Sequence, residues 1–191
     1  MRFTVLSCSL DPSSRSRLLA REAHRLLCEA GHETTLIDLR DHPLPHFDND
    51  AVFHDPHFAH VHQAIREADG VVLAAPVYNW GLGSAAKNLV EATGATGERG
   101  ARAAWFDKLV TFVCSGGLPH SYTAYSGMAM SLMLDFKCVI NPYAVYATGR
   151  DWDEDNEMSA RLRGRLEKTL QVKLELAERL LGRQYSSDWE I

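Results

Sequence analysis

Three short stretches hold the residues best suited to gripping a ligand. The first, Ser7-Cys8-Ser9-Leu10-Asp11-Pro12-Ser13-Ser14-Arg15-Ser16-Arg17, sets five serines and two arginines ahead of a leucine-rich helical run. A helix start offers free N–H groups and a partial positive charge, which suits a phosphate. Serine hydroxyls add donors without bulk, and Arg15 adds neutralising charge. An N-cap role for Ser13 or Ser14 explains one serine but not the cluster. The second stretch, Pro76-Val77-Tyr78-Asn79-Trp80-Gly81-Leu82-Gly83-Ser84, mixes aromatics, an amide and glycines, as a planar heterocycle needing stacking and close backbone approach requires. The third, Ser115-Gly116-Gly117-Leu118-Pro119-His120, could aim backbone N–H groups at ring carbonyls and nitrogens. Each of the last two also reads as an ordinary tight turn.

Other patterns are weaker. Gly81-Leu82-Gly83-Ser84-Ala85-Ala86 fits G-x-G-x-x-A, but it does not directly follow the first strand of its unit. Ser84-x-x-Lys87 fits the S-x-x-K of acyl-transferring hydrolases without the S-D-N and K-T-G that accompany it, so a helix start is expected. His54, His57, His60 and His62 lie close together with Asp55. Structural zinc sites usually add cysteines and none is near, so no metal is expected there and a solvated helix flank or an oligomer contact is the better reading. No Walker-type loop is present. The acidic residues of a receiver domain are absent from the ends of the first and third strands.

The elements that position these loops follow from apolar periodicity. Strands are predicted at 3–6, 34–39, 71–75, 108–114 and 139–145, the last broken by Asn141-Pro142. Helices are predicted at 14–29, 58–68, 84–93, 121–136 and 157–181, the first followed by Gly31 in a C-cap position. The alternation, with the unbroken apolar run 71–75, predicts an α/β fold with a doubly wound five-stranded parallel sheet between helical layers. Five strands favour the flavodoxin-like order 2-1-3-4-5, in which ligands sit beyond the carboxyl ends of the first and third strands. All three loops lie on that edge.

A length of 191 residues fits one domain spanning the whole chain. The net charge of -5 implies no nonspecific grip on nucleic acid. No apolar run approaches the roughly 20 residues needed to span a bilayer. Cys8, Cys28, Cys114 and Cys138 are scattered, which fits core packing in a reducing compartment and a cytoplasmic location.

Ser9-x-x-x-x-Ser14-x-Ser16, Ala75-Pro76-Val77-Tyr78-Asn79, Ala86-Lys87-Asn88-Leu89 and Ser115-Gly116-Gly117 together resemble the NADPH-dependent FMN reductases, over residues 3 to about 145. The resemblance implies that Ser9, Ser14, Arg15 and Ser16 hold the FMN phosphate. It implies that Pro76, Val77, Tyr78, Asn79, Ser115, Gly116 and Gly117 hold the isoalloxazine ring. It further implies NAD(P)H as hydride donor, a small-molecule acceptor such as flavin, quinone or azo compound, and a homodimer or homotetramer with a partner subunit closing the site. Cys8 and Asp11 stand where members often carry glycine and arginine. The flavin would carry the chemistry, so no catalytic acid or base is expected. The alternative is a flavodoxin-type electron carrier or a non-catalytic FMN-binding protein on the same fold. Such carriers are usually strongly acidic, and the mild charge favours the enzyme.

Overall fold

The apolar run 71–75 is wholly buried, so the strand that carries it has side chains packed on both faces. The computed structural model describes residues 1–95 and 102–182. That strand, β3 (Gly70–Tyr78), lies between β1 (Arg2–Ser7) and β5 (Leu109–Ser115), with β2 (Glu33–Asp38) outside β1 and β6 (Val139–Ile140) outside β5, all parallel. Counting only these five parallel strands in chain order, the path β2-β1-β3-β5-β6 is the expected 2-1-3-4-5. The sheet has seven strands rather than five, because β4 (Gly81–Leu82) folds back antiparallel on β3 and the predicted last strand is split into β6 and β7 (Val145–Ala147), both paired with β5. Pro142 has no N–H for a ladder. Asn141 turns inward, donating through Nδ2 to Thr111 Oγ1 (3.2 Å) and the Thr169 carbonyl (3.1 Å).

Side chains alternate along β3 as a strand requires. Val72 and Ala74 join the core formed with α1 (Arg15–Glu29) and α5 (Ala160–Leu180), through Leu19, Leu27, Leu166 and Leu170. Val71, Leu73 and Ala75 join the opposite core under α2 (Pro56–Glu67), α3 (Ser84–Gly94) and α4 (Ser126–Phe136), through Ile65, Leu89 and Leu132. Helix starts obey their caps: Asp55 accepts from the His57 N–H (2.9 Å), with Pro56 as first residue of α2. Gly31 takes a φ of +82° just beyond α1, the left-handed position that favours glycine. The helix predicted from 121 begins at 126, because Pro119–Thr123 forms a separate 3₁₀ turn with non-helical dihedrals at Ser121. Cys8, Cys114 and Cys138 are buried and free, and burial pushes their thiols up, that of Cys114 to about 12.

At the opposite edge from the three loops, Lys173 of α5 is fully buried. Its Nζ donates to the carbonyls of Val71 (3.1 Å) and Leu109 (3.0 Å) and lies 5.1 Å from the Phe3 ring centre. Gly70 makes room for it, since a Cβ there would stand 2.8 Å from that nitrogen. Burial lowers the Lys173 pKa to about 7.

Candidate functional site

The winding direction reverses between β1 and β3, so their loops diverge and leave a crevice at the carboxyl edge. The loop after β1 is built around a residue absent from the predicted site. Arg17 lies on the buried face of α1 and sends its guanidinium back under the loop. It donates to the carbonyls of Ser9 (2.6 Å), Asp11 (2.5 Å) and Pro12 (3.2 Å), and its Nε bonds Asp38 at the end of β2 (2.5 Å). Both partners of that ion pair are almost inaccessible, so it is a buried pair, and loss of one member typically costs about 3–5 kcal/mol. Arg17 thus fixes the loop's carbonyls downward. The signal for it was an arginine on the core-facing stripe of α1 with a carboxylate closing the neighbouring strand.

Ser14 caps α1, its Oγ accepting from the Arg17 N–H (3.4 Å) and lying 2.8 Å from Ser16 Oγ. Helix geometry leaves the N–H groups of Arg15 and Ser16 without an intrahelical partner, and both residues line the crevice. Arg15 is held at its edge, with Nε 3.3 Å from Asn156 Oδ1 and the guanidinium 5.8 Å from the Trp152 ring centre. Asp11 accepts both the N–H and the hydroxyl of Ser13 (2.9 Å each). These bonds, with Arg17 and Arg40 nearby, hold its carboxyl below the usual range, so it is an anion at neutral pH. Ser9 differs from the other predicted serines of this loop: Ser14 and Ser16 are buried like it, but its hydroxyl accepts from the Asp11 N–H (3.3 Å) and it does not line the crevice.

After β3 the chain makes a two-residue hairpin, with Tyr78 opposite Gly81. Its central residues Asn79 and Trp80 have φ of +49° and +63°, both positive as in a type I′ turn. The Gly83 N–H returns to the Pro76 carbonyl (2.9 Å) and Gly83 caps α3. The G-x-G-x-x-A match is therefore a hairpin and a helix start. In the S-x-x-K match, Ser84 opens α3 and Lys87 pairs with Glu91 at the surface (2.9 Å), with no bond to the serine. Asn88 from the same helix clamps the loop after β2, donating to the Pro45 carbonyl (2.9 Å) and accepting from the Phe47 N–H (2.7 Å).

After β5, the Gly116 N–H bonds the Ala147 carbonyl (2.9 Å). A Cβ on Gly116 would overlap the Tyr146 hydroxyl, whereas one on Gly117 would meet only open space. Gly116 is thus required by packing, and Gly117 leaves backbone bare at the crevice.

Together the loops enclose an open cleft of about 560 Å³. It brings together Ser14, Arg15, Ser16, Pro76, Val77, Tyr78, Ser115, Gly116 and Gly117 of the predicted residues, with Asp11, Ser13, Gly149 and Asn156 added. A second space of about 440 Å³ shares Val77, Tyr78 and Gly117 with it and adds Asn79, Trp80, Leu118 and Ser121. One end of the cleft is polar, at the α1 start, and the other is apolar and aromatic.

The histidines lie elsewhere. His42 brings its ring to 5.5 Å from that of His57 and 4.9 Å from that of His60, and burial followed by these neighbours lowers its pKa. His62 is buried, with Nε2 2.9 Å from the Arg102 carbonyl. Among the described residues no three His, Cys, Asp or Glu side chains are arranged to hold a metal ion. Nor is any described helix long and apolar enough to cross a membrane.

Residues 1–153 match the family model of the NADPH-dependent FMN reductases, and the chain belongs to that family. An FMN reductase (NADPH) from Pseudomonas putida is 33% identical over 89 residues, 46% of this chain and 45% of its own length, so the match spans about half of that curated relative. A flavoenzyme NAD(P)H:(acceptor) oxidoreductase from Paracoccus denitrificans superposes with a TM-score of 0.74 at 18% identity, over 93% of this chain and 97% of its own. An NADH:FMN oxidoreductase in its apo form gives 0.71 at 15% identity, over 91% and 89%. At such identities the likeness shows a shared flavodoxin-like fold.

Proposed function

We propose that this chain is an NAD(P)H-dependent FMN reductase that moves hydride from NAD(P)H to FMN and then electrons to a flavin, quinone, azo or similar small-molecule acceptor. The observation that carries this reading is the two-ended cleft. Its volume is in the range of small-molecule sites, roughly 300–1,000 Å³, and its polar and flat ends suit the two ends of a flavin mononucleotide. The N–H groups of Arg15 and Ser16, the hydroxyls of Ser14 and Ser16, and the Arg15 guanidinium would hold the phosphate. Pro76, Val77, Tyr78, Asn79 and the bare backbone of Ser115, Gly116 and Gly117 would hold the ring. Ser9 would act from beneath, through the loop that Arg17 fixes.

Bound there, FMN supplies the hydride chemistry, and the protein contributes orientation and shelter from water. The apolar space next to the ring end leaves room for a second planar group, which favours a reductase over an electron carrier. We further infer a cytoplasmic homodimer or homotetramer. Unpaired cysteines suit a reducing compartment. Met130, Met133 and Leu134 form an outward apolar face on α4, next to the loop bearing exposed Leu118 and Tyr122, which suits a second copy closing over the site.

Titration of the purified protein with FMN, followed by flavin fluorescence and the visible spectrum, tests the reading. One saturable site per chain with a perturbed spectrum, and NAD(P)H oxidation once loaded, is expected. Ser14→Ala combined with Ser16→Ala should weaken the binding. Absence of saturable binding would overturn both the reductase and the carrier.

A further inference from the structure

We propose that Trp80 is a specificity-determining wall for the electron acceptor, held in a strained turn so that it can stack on a flat, largely uncharged ring of the quinone class. The proposal rests on the reductase reading and adds the acceptor chemistry to it.

The backbone is the first observation. Trp80 is the second central residue of the β3–β4 hairpin and has a φ of +63°. The preferred pair for such a turn is Asn-Gly, because glycine has no Cβ to clash in the left-handed region. Asn79 fulfils the first half of that preference and Trp80 violates the second. A bulky residue there is an outlier, and strain of this kind gathers at functional sites.

The fold gains little in return. Trp80 is 59% exposed, and none of the apolar core clusters includes it. What the turn achieves is placement. Trp80 lines the apolar space that continues from the ring end of the cleft, facing Val77, Tyr78, Gly117 and Leu118. His120, from the loop after β5, lies against it, with ring centres 5.6 Å apart and planes 31° from parallel. His120 does not line that space but packs on the indole, so it acts as a positioning residue for Trp80. The wall bears no charged side chain, and its polar side-chain groups are the Tyr78 hydroxyl, the Asn79 amide, the Trp80 indole N–H and the Ser121 hydroxyl, all neutral at pH 7. Such a surface favours a planar aromatic ligand with few charges, bound by stacking.

A turn that sacrifices stability for binding makes a paired forecast that a merely structural tryptophan does not share. Trp80→Gly restores Asn-Gly. It should raise the thermal midpoint by about 2–4 °C, raise the KM for 2-methyl-1,4-naphthoquinone at least tenfold, and leave the FMN dissociation constant within twofold. Trp80→Phe should raise that KM only about threefold, since a ring remains. His120→Ala should raise KM with little change in kcat. In the protein as purified, before and after FMN addition, the same quinone should saturably quench tryptophan fluorescence, and Trp80→Phe should abolish most of the quenching. An unchanged KM, a lowered midpoint in Trp80→Gly, an equal loss of FMN affinity, or quenching that survives Trp80→Phe each overturns the proposal. Failure to bind FMN overturns the reductase reading separately, because the quenching is also read without flavin.

Discussion

Lys173 places a titratable amine where water is absent, and its linkage to folding can be worked through. Burial lowers its pKa to about 7 from an ordinary 10.5. The gap corresponds to about 5 kcal/mol at roughly 1.4 kcal/mol per pH unit. Between those two values the unfolded chain holds a proton on Lys173 and the folded chain does not. Folding stability therefore climbs as pH rises from 7 toward 10.5, with a limiting slope of about 1.4 kcal/mol per pH unit. Below pH 7 both states are protonated, the slope disappears, and the folded state carries the whole penalty. Lys173→Met keeps the stem against Phe3 but leaves the Val71 and Leu109 carbonyls without their donor, at about 1–3 kcal/mol each. The linkage spans about 4 kcal/mol between pH 6 and pH 10, so the net expectation is a variant more stable than wild type by about 1–2 kcal/mol at pH 6 and less stable by about 2–3 kcal/mol at pH 10. Urea denaturation followed by circular dichroism at several pH values reads both. Parallel stability curves for the two proteins across pH 6–10 would refute the reasoning, because a lysine that titrates alike in both states contributes no slope.

Arg17→Met should lower stability by about 3–5 kcal/mol, since it strands the Asp38 carboxylate and three loop carbonyls, and should weaken FMN binding at least tenfold in the same titration. Asp11→Asn removes a negative charge from the cleft lining, so FMN affinity should rise several-fold while riboflavin affinity stays constant; equal changes for both flavins would place Asp11 away from the phosphate end. Asn88→Ala should cost about 1–2 kcal/mol by releasing Pro45 and Phe47, measured as a shift of the urea midpoint.

The sheet was legible because its strands are buried on both faces and their residues show it. The run 71–75 could be little else, and the order of the main path followed from alternation and crossover handedness. What the pattern missed was decided by single side chains. Asn141 reaching Thr111 and Thr169 splits the last strand, a contact between residues 30 and 28 positions apart. The 3₁₀ turn at Pro119–Thr123 merges with α4 in any reading by periodicity, because both are short and partly apolar.

The site was legible as a set of loops but not as a set of roles. Serine is small and polar wherever it stands, so type alone could not separate Ser9, whose hydroxyl bonds the loop's own backbone, from Ser14 and Ser16, which line the cleft. The two arginines were misjudged in weight for a similar reason. Arg15 looks useful because it opens the helix in a polar run, yet Arg17 organises the loop, and its role depends on Asp38 arriving from the next strand. Dihedral angles are hidden most deeply. Tyr-Asn-Trp-Gly does not announce that Asn79 and Trp80 are both left-handed, since the glycine that would have marked such a turn comes one residue late. That displacement turns an ordinary hairpin into a mount for an exposed indole, and it sits where the cleft's aromatic end opens. Local rules fail at this hairpin while they hold along the core strands. In a sequence otherwise consistent with its fold, a failure so confined points to binding rather than to packing.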